Sequence, residues 1–208
     1  MNIDILHSGS LHIITGGMKG RKTPQLIHYF DQLKYTSRNA QLFKPKCDYR
    51  PELHERYGLP ENYLVSRTGM SFPATIIDDE NPTDLLKKLD PQAQIIGLDE
   101  ITLFKKSDEL VFIILELIKS GKSIIGSGLD KNFRGEPFEP MPTLMAYATT
   151  VEKYFGICDV DGCNRMGEYP QRLIGGEPAD YNSDIIMVGA SESYENRCLK
   201  HHEVPGKK

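Results

Sequence analysis

The feature that most constrains this chain is a glycine-rich turn inside residues 11–30 (LHIITGGMKGRKTPQLIHYF). The run before the turn is apolar and rich in β-branched residues, which predicts a strand. After the turn, Leu26, Ile27 and Phe30 recur at helical spacing. A strand that leaves such a turn as a helix can direct backbone N–H groups and a helix N-terminus at a phosphate. The stretch therefore predicts a strand, a phosphate-binding loop and a helix.

The loop departs at one position from the usual pattern G-x-x-x-x-G-K-[ST]. Arg21 stands where the second glycine belongs, and a long side chain is penalised there if the backbone needs a positive φ. In this pattern the lysine serves the β- and γ-phosphates and the hydroxyl serves Mg²⁺. The alternative is a strand-to-helix turn without a ligand. The residues predicted to bind ATP and Mg²⁺ here are Gly16, Gly17, Met18, Lys19, Gly20, Arg21, Lys22 and Thr23.

Composition bounds the class of protein. With 208 residues, 39% hydrophobic and 26% charged, the chain suits one globular domain with a small appendage. A net charge of −4 argues against a nucleic-acid-binding surface. We find no apolar run of membrane-spanning length and no signal-peptide pattern, so we expect a cytoplasmic protein with neither nucleic acid nor membrane as a partner.

Strand and helix patterns alternate along the chain. Nearly continuous apolar runs predict strands at residues 41–44, 94–100, 123–129 and 150–157, and 45–62 is expected to be a surface loop. Helices are expected at residues 23–34, 82–89, 107–120 and 144–147. Apolar strands that alternate with helices indicate an α/β fold with a parallel sheet covered on both faces.

An acidic strand end supplies the second predicted part of the site. Residues 94–100 (QIIGLDE) are apolar until they end in Asp99 and Glu100. In phosphate-loop proteins a carboxylate at the end of another strand meets the Mg²⁺ that accompanies the nucleotide. Asp99 would hold that metal, directly or through water, and Glu100 would accept the proton of an attacking substrate hydroxyl. An acidic strand end that faces solvent is the alternative.

Cysteine and histidine residues near the C-terminus predict a metal site. Cys158 and Cys163 form one close pair, and Cys198 and His201 form another, with His202 as a competing ligand. Zn²⁺ takes thiolate and imidazole ligands, and four of them leave no open position, so this zinc would be structural. Ordinary cysteines and a tail histidine are the alternative.

The stretch between the two pairs, residues 164–197, is glycine-rich and expected to be a long loop. It contains SDIIMVGASESY, residues 183–194. An extended segment closed at its root by a metal would make a lid that offers backbone N–H and C=O groups to a planar ligand. A β-hairpin that decorates a zinc ribbon is an alternative of equal weight on these residues.

Together these motifs resemble the zinc-containing thymidine kinases of cellular, bacterial and viral type, over residues 11–201. That family has a loop of the form G-x-M-x-[SG]-G-K-[ST], which this chain matches except at Arg21. Its D-x-R-Y-like segment resembles Asp48-Tyr49-Arg50, which implies that Asp48 and Arg50 lie near Mg²⁺ and the phosphates. The resemblance implies a RecA-like phosphate-loop sheet with helices on both faces, residues 1–150, and a small zinc-binding lasso subdomain, residues 151–208.

The resemblance also implies the nucleoside contacts. The family's I-D-E-x-x-F motif resembles the segment that ends at Phe104, and its G-L-D-x-x-F motif is matched up to Phe133. Phe133 should then stack on thymine, the backbone around residues 185–189 should read the base edge, and Tyr194 should pack against the nucleoside. The predicted substrate-binding residues are Phe104, Phe133, Ile185, Ile186, Met187, Val188, Gly189 and Tyr194.

The expected activity is phosphorylation of the 5′-hydroxyl of thymidine by ATP, giving dTMP and ADP, with Glu100 as the catalytic base. ATP with Mg²⁺ and a structural Zn²⁺ are the expected cofactors. The resemblance implies a homo-oligomer, either a dimer or a tetramer. A catalytically weak or inactive relative that binds nucleosides or nucleotides is the alternative, because Arg21 replaces a loop glycine.

Overall fold

The computed structural model describes residues 6–186 and 194–207. The helices are α1 (Lys22–Leu33), α2 (Pro51–Tyr57), α3 (Asp84–Lys88), α4 (Ser107–Lys119) and α5 (Met141–Tyr147). The strands of the first two thirds of the chain are β1 (Leu11–Gly16), β2 (Ala40–Pro45), β3 (Tyr63–Val65), β4 (Ser71–Pro73), β5 (Thr75–Ile77), β6 (Ile95–Leu98) and β7 (Ser123–Ser127). The later strands are β8 (Thr150–Tyr154), β9 (Gly156–Ile157), β10 (Met166–Gly167), β11 (Tyr169–Ile174), β12 (Glu177–Pro178) and β13 (Tyr194–Arg197).

The central element is a six-stranded sheet in the order β5-β2-β6-β7-β1-β8. Every neighbouring pair in this sheet is parallel. This confirms the predicted parallel α/β fold. Parallel strands need crossover connections, and helices supply several of them here. Among the described helices, none is both long enough and apolar enough to cross a membrane.

Helices cover both faces of the sheet. Successive side chains of a strand point to opposite faces, and in β1 Ile13 and Ile14 belong to two different apolar clusters. On one face Ile14 packs with Leu26 of α1, whereas on the other Ile13 shares its cluster with Ile114 of α4. Burial on both faces explains why these strands are apolar at nearly every position.

The parallel arrangement brings the chemically important segments to one edge. The loop after β1, the acid pair after β6 and the segment after β2 all follow the carboxyl ends of their strands. The Asp99 backbone N–H donates to the Phe43 carbonyl oxygen of β2 at 3.0 Å, which fixes the end of β6 against its neighbour. Ligands of open parallel sheets bind in the crevice at this edge.

Two expectations about loops are wrong. Residues 45–62 contain the helix α2, which begins at Pro51, ends at Tyr57 and is followed by Gly58, a glycine with φ of 62°. Proline at the first helical position and a left-handed glycine at the end are ordinary helix signals. Residues 164–197 also contain regular structure, because β11 pairs antiparallel with β12 and with β13. The weak periodicity of that stretch reflects strands that are short.

The C-terminal strands bring the two cysteine pairs together. Asp159 lies just after β9 and its N–H donates to the Asn196 carbonyl oxygen of β13 at 2.8 Å. The Asn196 N–H donates in return to the Asp159 carboxylate at 2.7 Å. Cys158 precedes this contact and Cys198 follows it, so the hydrogen bonds hold both cysteines at one place in the fold.

Candidate functional site

The loop after β1 packs against the end of β8. The Gly17 N–H donates to the Tyr154 carbonyl oxygen at 3.0 Å. A Cβ atom at Gly16 would lie 2.0 Å from that oxygen, and one at Gly20 would lie 2.4 Å from it. No side chain fits at either distance. Gly20 is therefore required by the close approach of the loop to β8, a reason that the spacing of the motif does not reveal.

Arg21 has the backbone conformation that a glycine prefers. Its φ is 64°, and Lys19, two residues earlier, has a φ of 53°. A left-handed conformation costs a residue with a Cβ atom about 1 kcal/mol. The Arg21 side chain is exposed on the wall of the cleft described below, and no ion pair involves it within the described residues. The loop thus keeps a strained arginine whose charge faces the cleft.

Lys22 and Thr23 lie at the N-terminus of α1 and point into the site. Lys22 Nζ is buried and donates to the Gly17 carbonyl oxygen at 2.7 Å. Burial lowers the pKa of Lys22, while the carboxylates of Glu100 and Asp99 oppose that shift. The Thr23 hydroxyl donates to Asp99 Oδ2 at 3.2 Å. The loop lysine and the strand-end acid of the sequence prediction therefore lie together.

Asp99 is buried between the helix and the sheet. Its second carboxylate oxygen accepts a hydrogen bond from the Ser127 hydroxyl of β7. Burial, together with the charges of Glu100 and Asp48, raises the pKa of Asp99. A hydroxyl and a carboxylate are the oxygen donors that Mg²⁺ prefers. The donor set of Thr23 and Asp99 therefore fits magnesium.

Glu100 faces the cleft from the end of β6. Its φ of 46° is left-handed, so the backbone is strained at this residue also. Arg50 Nη2 lies 2.8 Å from Asp48 Oδ1 and 3.2 Å from Glu100 Oε1. Burial opposes the charge of Arg50, but the carboxylates of Asp48 and Glu100 outweigh it and raise the Arg50 pKa. The predicted acidic and basic residues of two strands thus form one charged cluster.

A cleft of about 980 Å³ runs from the loop to an aromatic end. Arg50 and Glu100 also line its wall. Its phosphate-loop end is lined by Met18, Lys19, Gly20, Arg21, Lys22 and Thr23. Its other end is lined by Thr102, Leu103, Leu129, Phe133, Arg172, Ile185, Ile186 and Tyr194.

Some predicted residues lie elsewhere. Phe104 is buried in the apolar core with Ile101 and Leu110, and the cleft wall beside it is formed by Leu103. Met187, Val188 and Gly189 lie outside the described residues.

Sequence reasoning missed Arg172 at the aromatic end. Its guanidinium carbon lies 4.0 Å from the centroid of the Phe133 ring, and its Nε donates to the Tyr194 hydroxyl at 2.8 Å. Arg172 follows proline and glutamine in β11, and no motif surrounds it. Only the burial of three consecutive residues in that strand distinguishes the position, and burial is not visible in the sequence.

The predicted zinc ligands form a cluster. The ligand atoms of Cys158, Cys163, Cys198 and His201 all lie within 4.8 Å of one another, and the cysteines are free. His201 Nδ1 is 3.5 Å from the Cys158 sulfur and 3.6 Å from the Cys198 sulfur. Three thiols and one imidazole are a donor set of tetrahedral structural zinc. The site is compatible with that metal.

His202 has a different environment from His201. Its Nε2 donates to the Phe133 carbonyl oxygen at 2.9 Å, and its ring stacks on Tyr169 with centroids 5.0 Å apart. The structure thus places His201, rather than His202, with the three cysteines. It also connects the metal cluster to Phe133 through two adjacent residues of the chain.

These observations define a class of protein. A parallel sheet that presents a glycine-rich loop, a helix N-terminus and a strand-end acid pair at one edge is the architecture of phosphate-loop phosphotransferases. The nearby Cys and His cluster and the aromatic end of the cleft are additions to that class.

Comparison with known proteins identifies the family. The family model described as thymidine kinase matches residues 9–202. A curated thymidine kinase of Coprothermobacter proteolyticus is 40% identical over 203 residues, which are 98% of this chain and 95% of that protein. The chain belongs to the thymidine kinase family and is a transferase. Neither comparison favours the alternative of an inactive relative.

Proposed function

We propose that the chain transfers the γ-phosphate of ATP to the 5′-hydroxyl of thymidine, giving dTMP and ADP. One observation carries this proposal: a single cleft of about 980 Å³ is lined by the phosphate loop, by Glu100 and by Phe133. Family membership and the name of the related thymidine kinase support the choice of substrates.

At the phosphate end, Lys22 would bind the β- and γ-phosphates. Its Nζ now donates to the Gly17 carbonyl oxygen, so a triphosphate would replace that carbonyl as its partner. A phosphate oxygen is a stronger acceptor for an ammonium group than a neutral carbonyl oxygen. Thr23 and Asp99 would hold Mg²⁺, which supplies charge neutralisation on the phosphates when bound.

Between the two ends, Glu100 would take the proton of the 5′-hydroxyl as that oxygen attacks the γ-phosphorus. Arg50 lies 3.2 Å from the Glu100 carboxylate and 2.8 Å from that of Asp48, so it would hold the Glu100 side chain in place on the cleft wall. The same guanidinium would stabilise negative charge on the transferring group.

At the other end, Phe133 would stack on the thymine ring and Tyr194 would pack against the nucleoside. Ile185 and Ile186 line the same part of the cleft and would present their backbone to the base edge. The zinc cluster would be structural, because its protein ligands already fill four positions. It would keep Cys198, at the end of β13, close to the strand β9 that Cys158 follows.

The organisation of the whole molecule is part of this proposal. Residues 1–150 would form the phosphate-loop core and residues 151–208 the zinc-binding lasso subdomain. The chain would act in the cytoplasm as a dimer or tetramer. Light scattering coupled to gel filtration tests this: a monomer would contradict the assembly and leave the catalytic proposal intact.

A nucleoside panel tests the activity. Purified protein with MgATP is incubated with each common ribonucleoside and deoxyribonucleoside, and the monophosphates are quantified. We expect thymidine to be the best acceptor. A zinc-containing, folded protein that phosphorylates none of them would refute the proposal, and one that prefers another nucleoside would correct the substrate.

A further inference from the structure

Arg172 is a buried charge without a described carboxylate partner. It lies in β11, at the aromatic end of the cleft, with 1% of its surface exposed. Its hydrogen bonds within the described residues go to neutral oxygen atoms: the Tyr194 hydroxyl and the backbone carbonyls of Asp184 and Ile185. Burial of a cation without a counter-charge costs free energy, because the cation loses its hydration. The hydrogen bonds to these three oxygen atoms must compensate for that loss.

The partners of Arg172 come from separate parts of the chain. Tyr194 begins β13, Asp184 and Ile185 lie in the segment before residue 187, and Phe133 lies between β7 and α5. The guanidinium carbon is 4.0 Å from the Phe133 centroid, which places a cation against an aromatic ring. One planar group therefore joins three elements that lie far apart in the chain.

We infer that Arg172 is a positioning residue that holds the segment 184–185 against Phe133 and so presets the nucleoside end of the cleft. This inference rests on the proposed function. It assigns Arg172 no contact with the reacting atoms. By holding the segment 184–185 in place before thymidine binds, Arg172 would lower the entropy cost of thymidine binding.

The geometry requires arginine rather than any cation. A guanidinium carries five N–H donors in a fixed planar fork, and here the three nitrogen atoms serve three different oxygen atoms. A lysine ammonium is a point charge on a flexible stem and cannot reach all three while lying against a ring. Arg172→Lys therefore keeps the charge and removes the bridging geometry.

Arg134 offers a matched control. It also lies near Phe133, with its guanidinium carbon 5.5 Å from that ring centroid, and it donates to the Ser183 carbonyl oxygen at 3.0 Å. Its guanidinium carbon also lies 4.5 Å from the Tyr181 ring centroid, and neither Arg134 nor Tyr181 lines the cleft. Arg134→Lys removes an arginine from the same segment without touching the bridge between Ile185 and Tyr194.

The experiment compares wild type, Arg172→Lys and Arg134→Lys by steady-state kinetics. Thymidine is varied at saturating MgATP, and MgATP is varied at saturating thymidine, with zinc content and thermal melting as checks of folding. We expect Arg172→Lys to raise the thymidine KM about 10-fold or more, since loss of bridging hydrogen bonds of this kind costs roughly one factor of ten each. We expect the ATP KM to stay within about 2-fold, and Arg134→Lys to shift the thymidine KM by less than about 3-fold.

A thymidine KM that is unchanged in folded Arg172→Lys, or an ATP KM that rises equally, would overturn the inference. If Arg172→Lys does not fold, Tyr194→Phe decides, because it keeps the ring and removes only the hydroxyl that accepts from Nε. The inference then requires a thymidine KM raised about 3-fold at constant ATP KM, and no change refutes it. A wild-type protein that makes no dTMP would instead refute the proposed function.

Discussion

The two ends of the cleft are built by different means. At the phosphate end, the loop, Asp99 and Glu100 follow neighbouring or nearly neighbouring parallel strands, so the main sheet fixes their distances. At the nucleoside end, Phe133, Ile185 and Tyr194 come from separate segments that Arg172 joins and that the Cys and His cluster closes. The comparison teaches that one cleft can combine a site set by sheet topology with a site set by a few cross-links.

Backbone strain separates the same two regions. Among the described residues, those with positive φ that are not glycine are Lys19, Arg21 and Glu100. All three lie at the phosphate end or at the centre of the cleft. A residue keeps a strained backbone conformation only where the surrounding structure holds it there. The buried ends of the parallel strands provide such surroundings. The nucleoside end relies on side-chain hydrogen bonds instead.

We expect the largest effect on the catalytic rate from substitution of Glu100. We expect Glu100→Gln to lower kcat about 10³-fold, because general base catalysis contributes roughly 10² to 10⁴. The substitution keeps the size of the side chain, so the dissociation constants of ATP and thymidine should change little. Single-turnover kinetics and calorimetry measure the two quantities separately. A variant that retains kcat would show that another group accepts the proton.

The second prediction is that loss of a zinc ligand impairs the use of thymidine but not the binding of ATP. Cys163→Ser removes one zinc ligand, and we expect kcat/KM for thymidine to fall about 100-fold, as a misplacement of about 1 Å can cost that much. Binding of ATP should persist, since the main sheet does not use the metal.

Cys47→Ser is the matched control for Cys163→Ser. Cys47 is the cysteine outside the cluster, and burial raises the pKa of its thiol to about 12. The variant Cys47→Ser should retain zinc, which elemental analysis measures. Equal losses of ATP and thymidine binding in Cys163→Ser would contradict the separation of the two ends.

A smaller effect concerns strain at the phosphate end. Arg21→Gly should raise the melting temperature by about 2 °C, because glycine adopts φ of 64° without the left-handed penalty. It should also raise the ATP KM about 5-fold, because a cation that faces the cleft is lost. A gain in both stability and catalytic rate would instead indicate that the arginine impairs the loop. Arg67→Gly removes another arginine from the cleft wall and so controls for the loss of a cationic side chain there without relief of a left-handed backbone.

The smallest effect concerns the sheet behind the loop. His12 of β1 is buried beside Glu152 of β8, and burial lowers its pKa below 6.5 although Glu152 opposes the shift. The unfolded chain therefore binds the proton more readily, so this contribution to stability is present above pH 6.5 and is lost as the pH falls below that value. The loss cannot exceed about 1.4 kcal/mol per pH unit.

Urea unfolding of wild type and of His12→Gln between about pH 7 and pH 5 measures this contribution as the difference between the two curves, because burial also raises the pKa of Asp99 and lowers that of His202, and both groups alter stability in this window. Glu152 also has a lowered pKa, but its contribution is lost only below about pH 4.5, its ordinary value. The two groups are therefore separable by pH. A wild-type curve as flat as that of His12→Gln would show that His12 titrates normally.

Sequence reasoning reached the two regions unequally. The loop and the acid pair are contiguous motifs whose chemistry can be read locally, and the cysteine spacing predicted a cluster that the structure contains. Arg172 and the contact between His202 and Phe133 depend on segments that converge only in three dimensions. Phe104 shows the converse problem, since a motif cannot tell a core residue from one on the cleft wall.

If the protein is a thymidine kinase in activity, the γ-phosphate of ATP must pass directly to the 5′-hydroxyl of thymidine. The most direct test follows the label of γ-labelled ATP in a single turnover with thymidine and excess wild-type protein. We expect the label to appear on dTMP in an amount equal to the ADP formed. Label found only as inorganic phosphate, or left on ATP by a folded and zinc-containing protein, would contradict it.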